Sequence, residues 1–179
     1  MSSTAARATA AALLGGVLAL TTAAPVGAAV GVVRDPAGDG RTSFPGGDVT
    51  KIRVKHGPQA LRLIVSHAED SGLADVYRFN VDTDPGSAGP EYAIGAGIEI
   101  EQWSVVRAKG WKGMTGGALC TGDTAIDWDG EKMRLVVPRD CLGSPERVRV
   151  NLVTANDYPG TPVDHAPGKK TFGAWVTTG

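Results

Sequence analysis

Short segments of alternating apolar and polar residues recur along this chain, and they constrain its fold more than any other feature. In residues 49–56, Ile52 and Val54 alternate with three basic residues, which predicts a half-buried strand with one basic face. Similar segments recur about every 8–12 residues, separated by turn residues, and no segment beyond the N-terminal region shows sustained helical periodicity. The sequence therefore predicts an all-β fold, an antiparallel, jelly-roll-like β-sandwich of about nine or ten strands.

Turn residues indicate how several of these strands are connected. Gly57-Pro58-Gln59 joins the first strand to residues 60–66, which predicts a hairpin. Asp129-Gly130 separates residues 125–128 from 131–137, and Asp-Gly favours the positive φ angles of a two-residue type I′ turn. The residues predicted to face the core are Ile52, Val54, Leu61, Leu63, Val65, Phe79, Val81, Ile98, Leu135, Val137, Val148 and Val150.

The segment from residue 91 to residue 102 has a more unusual pattern. Apolar side chains occupy every second position from Tyr92 to Ile100, which predicts one continuous strand. The opposite face carries Gly95 and Gly97, and two glycines inside a strand indicate a bend, a bulge or the close approach of another surface.

The N-terminal region has the organisation of a secretory signal peptide. Arg7 precedes an apolar run over residues 10–20, and small residues follow as far as Ala29. The run is shorter than the roughly 20 residues needed to span a bilayer, so a membrane anchor is disfavoured. We expect residues 1–28 to be removed by cleavage after Ala28, leaving a secreted protein with a single domain over residues 29–179.

The charge balance gives no support for bulk nucleic-acid binding. The chain has 18 Lys and Arg against 19 Asp and Glu, a formal net charge of −1. Nucleic-acid binding in bulk requires a strongly basic field, so we expect no nucleic-acid partner. No second apolar run follows the N-terminal one, and the sequence therefore predicts no membrane span in the mature chain.

The chain has two cysteines, Cys120 and Cys141. An even number of cysteines in a chain exported to an oxidising space favours a disulfide. Closing a loop of about 20 residues would stabilise the fold by roughly 3 kcal/mol in the chain-entropy model. The alternative, a thiol nucleophile with a histidine partner, requires a reduced cysteine outside the cell. We expect a Cys120–Cys141 disulfide.

No catalytic signature is present in the sequence. Neither Gly-x-Ser-x-Gly nor His-Glu-x-x-His occurs. His67 lies beside Ser66 and close to Glu69, but a catalytic triad is assembled in space, so adjacency in sequence carries little weight. Glu99 and Glu101 alternate on one predicted strand face, where such carboxylates are usually solvated. The sequence therefore predicts no catalytic residue.

An acidic stretch rich in Gly and Pro precedes the first predicted hairpin. It contains Asp35, Asp39 and Asp48, and carboxylates held close together on a bent loop are the hard oxygen ligands that Ca²⁺ prefers. The same side chains could instead cap local turns. Because Ca²⁺ takes six or more oxygens, further ligands would come from backbone carbonyls, waters or more distant carboxylates. The candidates for distant contributors are Asp82, Asp84 and Asp164.

Four tryptophans are candidates for ligand contacts, although most tryptophans in a small sandwich pack in the core or at its rim. Trp111 is flanked by glycines in a predicted loop, where its ring could stack on a sugar. Trp103 shares a predicted face with Glu99 and Glu101, which could bind hydroxyl groups, unless a bulge turns the ring inward. We take Trp111 and Trp103 as the candidate ligand-binding residues.

Five short motifs carry a resemblance to known proteins: Asp35-Pro-Ala-Gly-Asp39, Asp48-Val-Thr-Lys-Ile52, Asp82-Thr-Asp84, Gly89-Pro-Glu-Tyr92 and Cys141-Leu-Gly-Ser-Pro145. Together they resemble secreted β-sandwich proteins of high-GC Gram-positive bacteria. More remotely, the chain is similar to family 9 carbohydrate-binding modules and DOMON-like domains, whose members bind sugars, haem or structural calcium. The resemblance implies a binding module more than an enzyme.

We therefore expect a secreted, non-catalytic binding domain for an extracellular glycan, with a structural calcium site. Two alternatives remain open at this point: a secreted protein–protein factor such as an inhibitor, and an extracellular hydrolase whose site has no recognised motif.

Overall fold

The computed structural model describes residues 27–40, 47–156 and 161–179, and their strands form one antiparallel sheet around a single core. The predicted signal peptide lies almost entirely outside these ranges. No helix in the described ranges has the length and apolar character needed to cross a membrane. The strands are β1 (Ala29–Arg34), β2 (Val49–His56), β3 (Ala60–His67), β4 (Val76–Asp82), β5 (Tyr92–Gly97), β6 (Gln102–Ala108), β7 (Met114–Asp127), β8 (Lys132–Pro138), β9 (Arg147–Asn156), β10 (Thr161–Ala166) and β11 (Val176–Thr177).

The strands follow one hydrogen-bonded path, β1-β2-β3-β8-β7-β6-β5-β4-β9-β10, with β11 paired to β9. The 14-residue β7 connects the two halves of this path, because its first part pairs with β6 and its last part pairs with β8. The end strand β10 approaches β2, so the sheet is nearly closed. The all-β, antiparallel class predicted from the sequence is confirmed, with the strands on one continuous path.

The core is built from the inward side chains that the alternating pattern predicts. Leu61, Leu63 and Val65 on β3 are fully buried, and the exposed Arg62 lies between two of them. Eleven of the twelve predicted core residues are buried, and Ile98 is partly buried against the same cluster. The inward faces of both halves of the sheet are therefore as predicted.

The continuous strand predicted over residues 91–102 is wrong. β5 ends at Gly97, a turn follows, and Glu101 adopts a left-handed φ of 47° before β6 begins. Ile100 lies in this turn and is 67% exposed. The alternation of apolar residues therefore extends beyond the end of β5.

The turn between β7 and β8 is longer than the two-residue type I′ turn predicted at Asp129-Gly130. Four residues, 128–131, separate the strands, and Glu131 rather than Gly130 has a positive φ, of 46°. Asp127 caps the turn, because its Oδ1 accepts a hydrogen bond from Gly130 N at 3.0 Å. A local side-chain acceptor has thus replaced the backbone geometry that Asp-Gly favours.

The predicted disulfide is confirmed. Cys120 on β7 is bonded to Cys141, which lies in the 3₁₀ turn Arg139–Leu142. The bond ties the bridging strand to the segment that follows β8.

Candidate functional site

Two carboxylates that follow β1 and one carboxylate on β10 lie close together. Asp35 follows β1, Asp39 lies in the next turn, and Asp164 lies on β10. One carboxylate oxygen from each lies within 4.8 Å of the other two. A register shift between Pro162 and Asp164 accompanies the approach of β10 to this cluster. We call these three residues the acidic cluster.

Asp35 is the least satisfied member of the acidic cluster. The residue is only 9% exposed, and neither of its buried carboxylate oxygens accepts a hydrogen bond from a described N–H group. Burial raises the pKa of Asp35 to about 7, and repulsion from Asp164, Asp39 and Asp48 and a side-chain hydrogen bond with Asp164 add to the rise. The ionised form of this buried carboxyl group is costly without a positively charged partner, so the group is suited to a cation.

Asp164 is held in place by the backbone. Its Oδ2 accepts a hydrogen bond from Val49 N at 2.8 Å, and its Oδ1 accepts one from His165 N at 2.5 Å. Burial raises the pKa of Asp164, the two backbone hydrogen bonds oppose that rise, and Asp39 and Asp48 add to it. The protein backbone alone therefore fixes the Asp164 side chain at the start of β2.

Asp48, the third residue predicted from the sequence, borders the acidic cluster. Its Oδ2 accepts a hydrogen bond from Gly38 N at 2.7 Å, whereas its Oδ1 is buried without a partner among the described residues. Asp48 therefore orders the turn that carries Asp39, and its second oxygen remains available to a ligand.

The other two distant candidates do not join the cluster. Asp82 is fully buried and forms an ion pair with Arg149, with 2.6 Å between Arg149 Nη2 and Asp82 Oδ2. Asp84 is exposed and caps its own turn by accepting a hydrogen bond from Gly86 N at 2.9 Å. Both side chains have local partners, as is usual for aspartates next to turn residues.

The acidic cluster has the chemistry of a Ca²⁺ site. Ca²⁺ takes six to eight oxygen ligands at flexible angles, and carboxylates can be monodentate or bidentate. Asp35, Asp39 and Asp164 would supply side-chain oxygens, and Asp48 Oδ1 could supply another. The set contains no nitrogen or sulfur ligand, so it does not resemble a zinc or copper site.

A cleft of about 170 Å³ lies on the outer face of the sheet where β4, β5, β9 and β10 are neighbours. Asn80 and Asn151 form its floor, and Asn80 Nδ2 donates a hydrogen bond to Asn151 Oδ1 at 2.9 Å. Asn151 Nδ2 in turn donates to backbone carbonyls that include Gly168 and Thr171, at 2.9 and 2.8 Å. The amide pair is therefore rigid. Asn80 Oδ1 accepts no hydrogen bond from the described residues.

Trp111 lies on the wall of this cleft, in the loop between β6 and β7. Its ring packs against Phe172, with 4.9 Å between the ring centroids and a tilt of 33°. Gly89 allows the close approach on another side, because a Cβ there would lie 2.8 Å from the indole Cδ1. Trp111 is partly exposed and held on two sides, so its ring is pre-positioned for a ligand in the cleft.

Trp103 does not share this role. It is 4% exposed and belongs to the core, where its indole ring passes over Gly122; a Cβ on that glycine would lie 2.4 Å from Cζ2. Its edge borders a second cleft of about 470 Å³, but the ring face is not available for stacking. The Trp103 side chain points inward because β5 ends at Gly97 and Trp103 lies on the next strand, β6. It therefore does not share a strand face with Glu99.

The two glycines of β5 leave open space above the sheet. A Cβ added at Gly95 would meet only Ser104 Oγ, at 3.9 Å, and one at Gly97 would meet the Ile100 side chain at 3.4 Å. Neither glycine has a positive φ. Packing and backbone conformation therefore do not require glycine at these positions, whereas a side chain there would fill the second cleft, which both residues line.

Cationic side chains line the first cleft. Arg78, Lys169 and Lys170 contribute to its lining, no Asp or Glu does so, and none of the three forms an ion pair among the described residues. His165 also faces the cleft. Burial and the nearby Lys169 and Arg78 lower its pKa, and its Nδ1 is buried without a described partner.

His67 has a structural role in the described network. Its Nδ1 donates to Glu131 O at 2.9 Å, so its Nε2 accepts from the Tyr77 hydroxyl, also at 2.9 Å. Ser66 points to the opposite face of β3, and both ring nitrogens of His67 are already engaged. Sequence adjacency of Ser66 and His67 therefore does not produce a nucleophile–base pair.

Comparisons of the chain with protein-family models, with curated proteins and with solved structures find no match. A function for this chain must therefore follow from the chemistry of the acidic cluster and of the cleft.

Proposed function

We propose that this protein is a secreted, non-catalytic binding domain that takes an extracellular glycan in the Trp111 cleft. The observation that carries the proposal is the pre-positioned indole of Trp111 beside the rigid Asn80–Asn151 amide pair. An aromatic ring can stack on the apolar face of a sugar ring, while fixed polar groups select hydroxyl positions.

The polar groups around the cleft support a glycan as the ligand. Asn80 Oδ1 is a free acceptor, and Arg78 and Lys169 are donors without ion-pair partners among the described residues. A saccharide offers donors and acceptors together, so it can satisfy both kinds of group. The lack of a lining carboxylate favours a sugar that itself carries a negative charge.

We also propose that the acidic cluster holds a structural Ca²⁺. The support is the buried carboxyl group of Asp35, which accepts no hydrogen bond from a described N–H group and has one oxygen within 4.8 Å of the carboxylates of Asp39 and Asp164. A divalent cation would offset this repulsion and would fix the turn before β2. Nothing in the cluster points to a reaction, so its role in this proposal is stability.

A glycan array with the purified mature protein tests the binding function, and Trp111→Ala should abolish the signal on every bound glycan. Trp128→Ala is the matched control, because Trp128 is 59% exposed and does not line the cleft. We expect a loss of at least tenfold in affinity for Trp111→Ala, since stacked aromatic anchors are worth about 2 kcal/mol or more, and no change for Trp128→Ala.

Two results would overturn the glycan function. One is a wild-type protein that binds no glycan on the array, and the other is binding that survives Trp111→Ala. A protein ligand whose binding depends on Trp128 but not on Trp111 would favour the protein–protein alternative.

A further inference from the structure

The outer face of β1, β2, β3 and β8 is strongly basic. On these strands the inward side chains are buried and mostly apolar, with His56 and His67 as the polar exceptions, whereas the outward positions carry a concentration of Lys and Arg. We call this surface the basic face. Its cationic residues are Arg34, Lys51, Arg53, Lys55, Arg62, Lys132 and Arg134.

The strand register places like charges directly opposite each other on this face. Arg34 is the cross-strand partner of Lys51, and Lys55 is the partner of Arg62. Directly opposed side chains have Cβ atoms about 5 Å apart, and like charges in such pairs destabilise a sheet. Repulsion between these cations therefore destabilises the sheet, and a bound polyanion would relieve that repulsion.

The charge on the basic face is almost uncompensated by the residues that the structure describes. Asp127, at the β7 border, is the acidic residue that the register brings to it, and Asp127 forms an ion pair with Arg134 at 3.1 Å. Among the described residues, the other six cations form no ion pair. Seven of the 18 Lys and Arg residues thus share one surface in a chain whose net charge is only −1.

We propose that the basic face binds a linear acidic polysaccharide. Along β2, Lys51, Arg53 and Lys55 point outward at every second residue, which spaces their charges by roughly 7 Å along the strand. Arg62 and Lys132 lie on the adjacent strands β3 and β8 and widen this track. A chain with a regularly repeated carboxylate or sulfate matches such a track by charge complementarity.

The composition and shape of the face disfavour other occupants. Its outward positions carry no aromatic ring, whereas single-stranded nucleic acids rely on stacking and protein partners on aromatic anchors. The apolar side chains between the cations are aliphatic, namely Val30, Val32, Ile64 and Val136. An antiparallel sheet is twisted, so its cations cannot all meet a flat bilayer, while a flexible polymer can follow them.

Binding to a size-defined heparin dodecasaccharide tests this inference. Lys55→Gln combined with Arg62→Gln removes one opposed pair from the face. Lys109→Gln combined with Lys112→Gln removes the same charge from an exposed loop and is the matched control. In a salt series we expect the face variant to lose about tenfold in affinity at low salt. Its slope of log K against log salt should become shallower by about two. The control should stay within about twofold of the wild type.

Any of the following results would overturn the inference. Equal losses for the two double variants would show only non-specific charge attraction. An absence of binding to both heparin and polygalacturonate at low salt would exclude an acidic polysaccharide. Tighter binding to a thymidine dodecamer, or to vesicles of anionic phospholipid, with the same dependence on Lys55 and Arg62, would assign the face to a different partner. Lys55 and Arg62 lie far from Trp111 on the sheet path, whereas Lys109 and Lys112 flank it. Both double variants are therefore also measured in the Trp111→Ala background, where the loss specific to Lys55 and Arg62 should persist; its disappearance there would overturn the inference.

Discussion

Single residues in the core show how this fold satisfies its buried polar groups. The Tyr77 hydroxyl accepts a hydrogen bond from Ala74 N at 3.0 Å and donates to His67 Nε2 at 2.9 Å. Burial raises the pKa of Tyr77 and lowers the pKa of His67, so both side chains are neutral and the network needs no counter-ion. The network connects β3, β4 and the loop that precedes β4.

Tyr77→Phe should lower the free energy of unfolding by about 1–3 kcal/mol, because it leaves Ala74 N and His67 Nε2 buried without a partner. Urea unfolding at pH 7 measures the change. Tyr92→Phe is the matched control, since the Tyr92 hydroxyl accepts a hydrogen bond from the exposed Arg107 at 3.0 Å and water can replace it. Losses of equal size in the two variants would contradict the structural role of the network.

The strands differ in how clearly the sequence predicts them. β2 and β3 were predicted almost residue by residue, because one face is buried and the other carries charges. The first part of β7 was missed, since Gly116, Gly117 and Gly122 interrupt its pattern and its residues are mostly exposed. It is a strand because β6 pairs with it and the disulfide holds it, and neither contact is visible in a local pattern.

The residues of the candidate sites also differ in how clearly the sequence predicts them, because contacts between strands leave no local pattern. Asp35, Asp39 and Trp111 could be selected from the sequence, because each lies among the turn residues that form loops. Asp164 was only one of several distant candidates, since its place in the acidic cluster depends on how β10 lies against the start of β2. The Asn80–Asn151 pair gave no signal, because it requires the register between β4 and β9.

At the scale of a strand pair, Lys55→Glu should stabilise the protein. The substitution turns the like-charged pair with Arg62 into an oppositely charged pair, worth roughly 0.2–1 kcal/mol. Lys112→Glu, in an exposed loop without a cross-strand partner, should have no comparable effect. Urea unfolding in low salt measures the gain in the free energy of unfolding. This gain should be smaller in 1 M NaCl, because the Debye length is then only about 3 Å and the attraction between the two charges is screened. A loss of stability in low salt would show that Lys55 has an acidic partner that opposes its charge.

At the scale of the whole molecule, the acidic cluster lies where the two ends of the sheet meet. β1 and β10 are the ends of the hydrogen-bonded path, and the cluster takes Asp35 from the end of β1 and Asp164 from β10. A cation shared by these residues would join the two ends of a nearly closed sheet. His165 follows Asp164 on β10 and lines the Trp111 cleft, so the same ion would also fix one wall of the cleft.

Calcium should therefore raise the melting temperature of the whole protein. A ligand bound only by the folded state stabilises by about 2.7 kcal/mol at a hundredfold excess over Kd, which corresponds to roughly 5–10 °C for a chain of this size. Scanning calorimetry with millimolar Ca²⁺, Mg²⁺ or EGTA measures the shift, and Mg²⁺ should give a smaller one because it retains its waters.

Asp35→Asn should abolish the response to Ca²⁺ and raise the melting temperature in EGTA, since it removes a buried charge that three carboxylates repel. Asp84→Asn, on an exposed turn outside the cluster, should leave the response intact. Superimposable melts in Ca²⁺ and EGTA would show that the acidic cluster binds no calcium and that its aspartates serve only the turns around them.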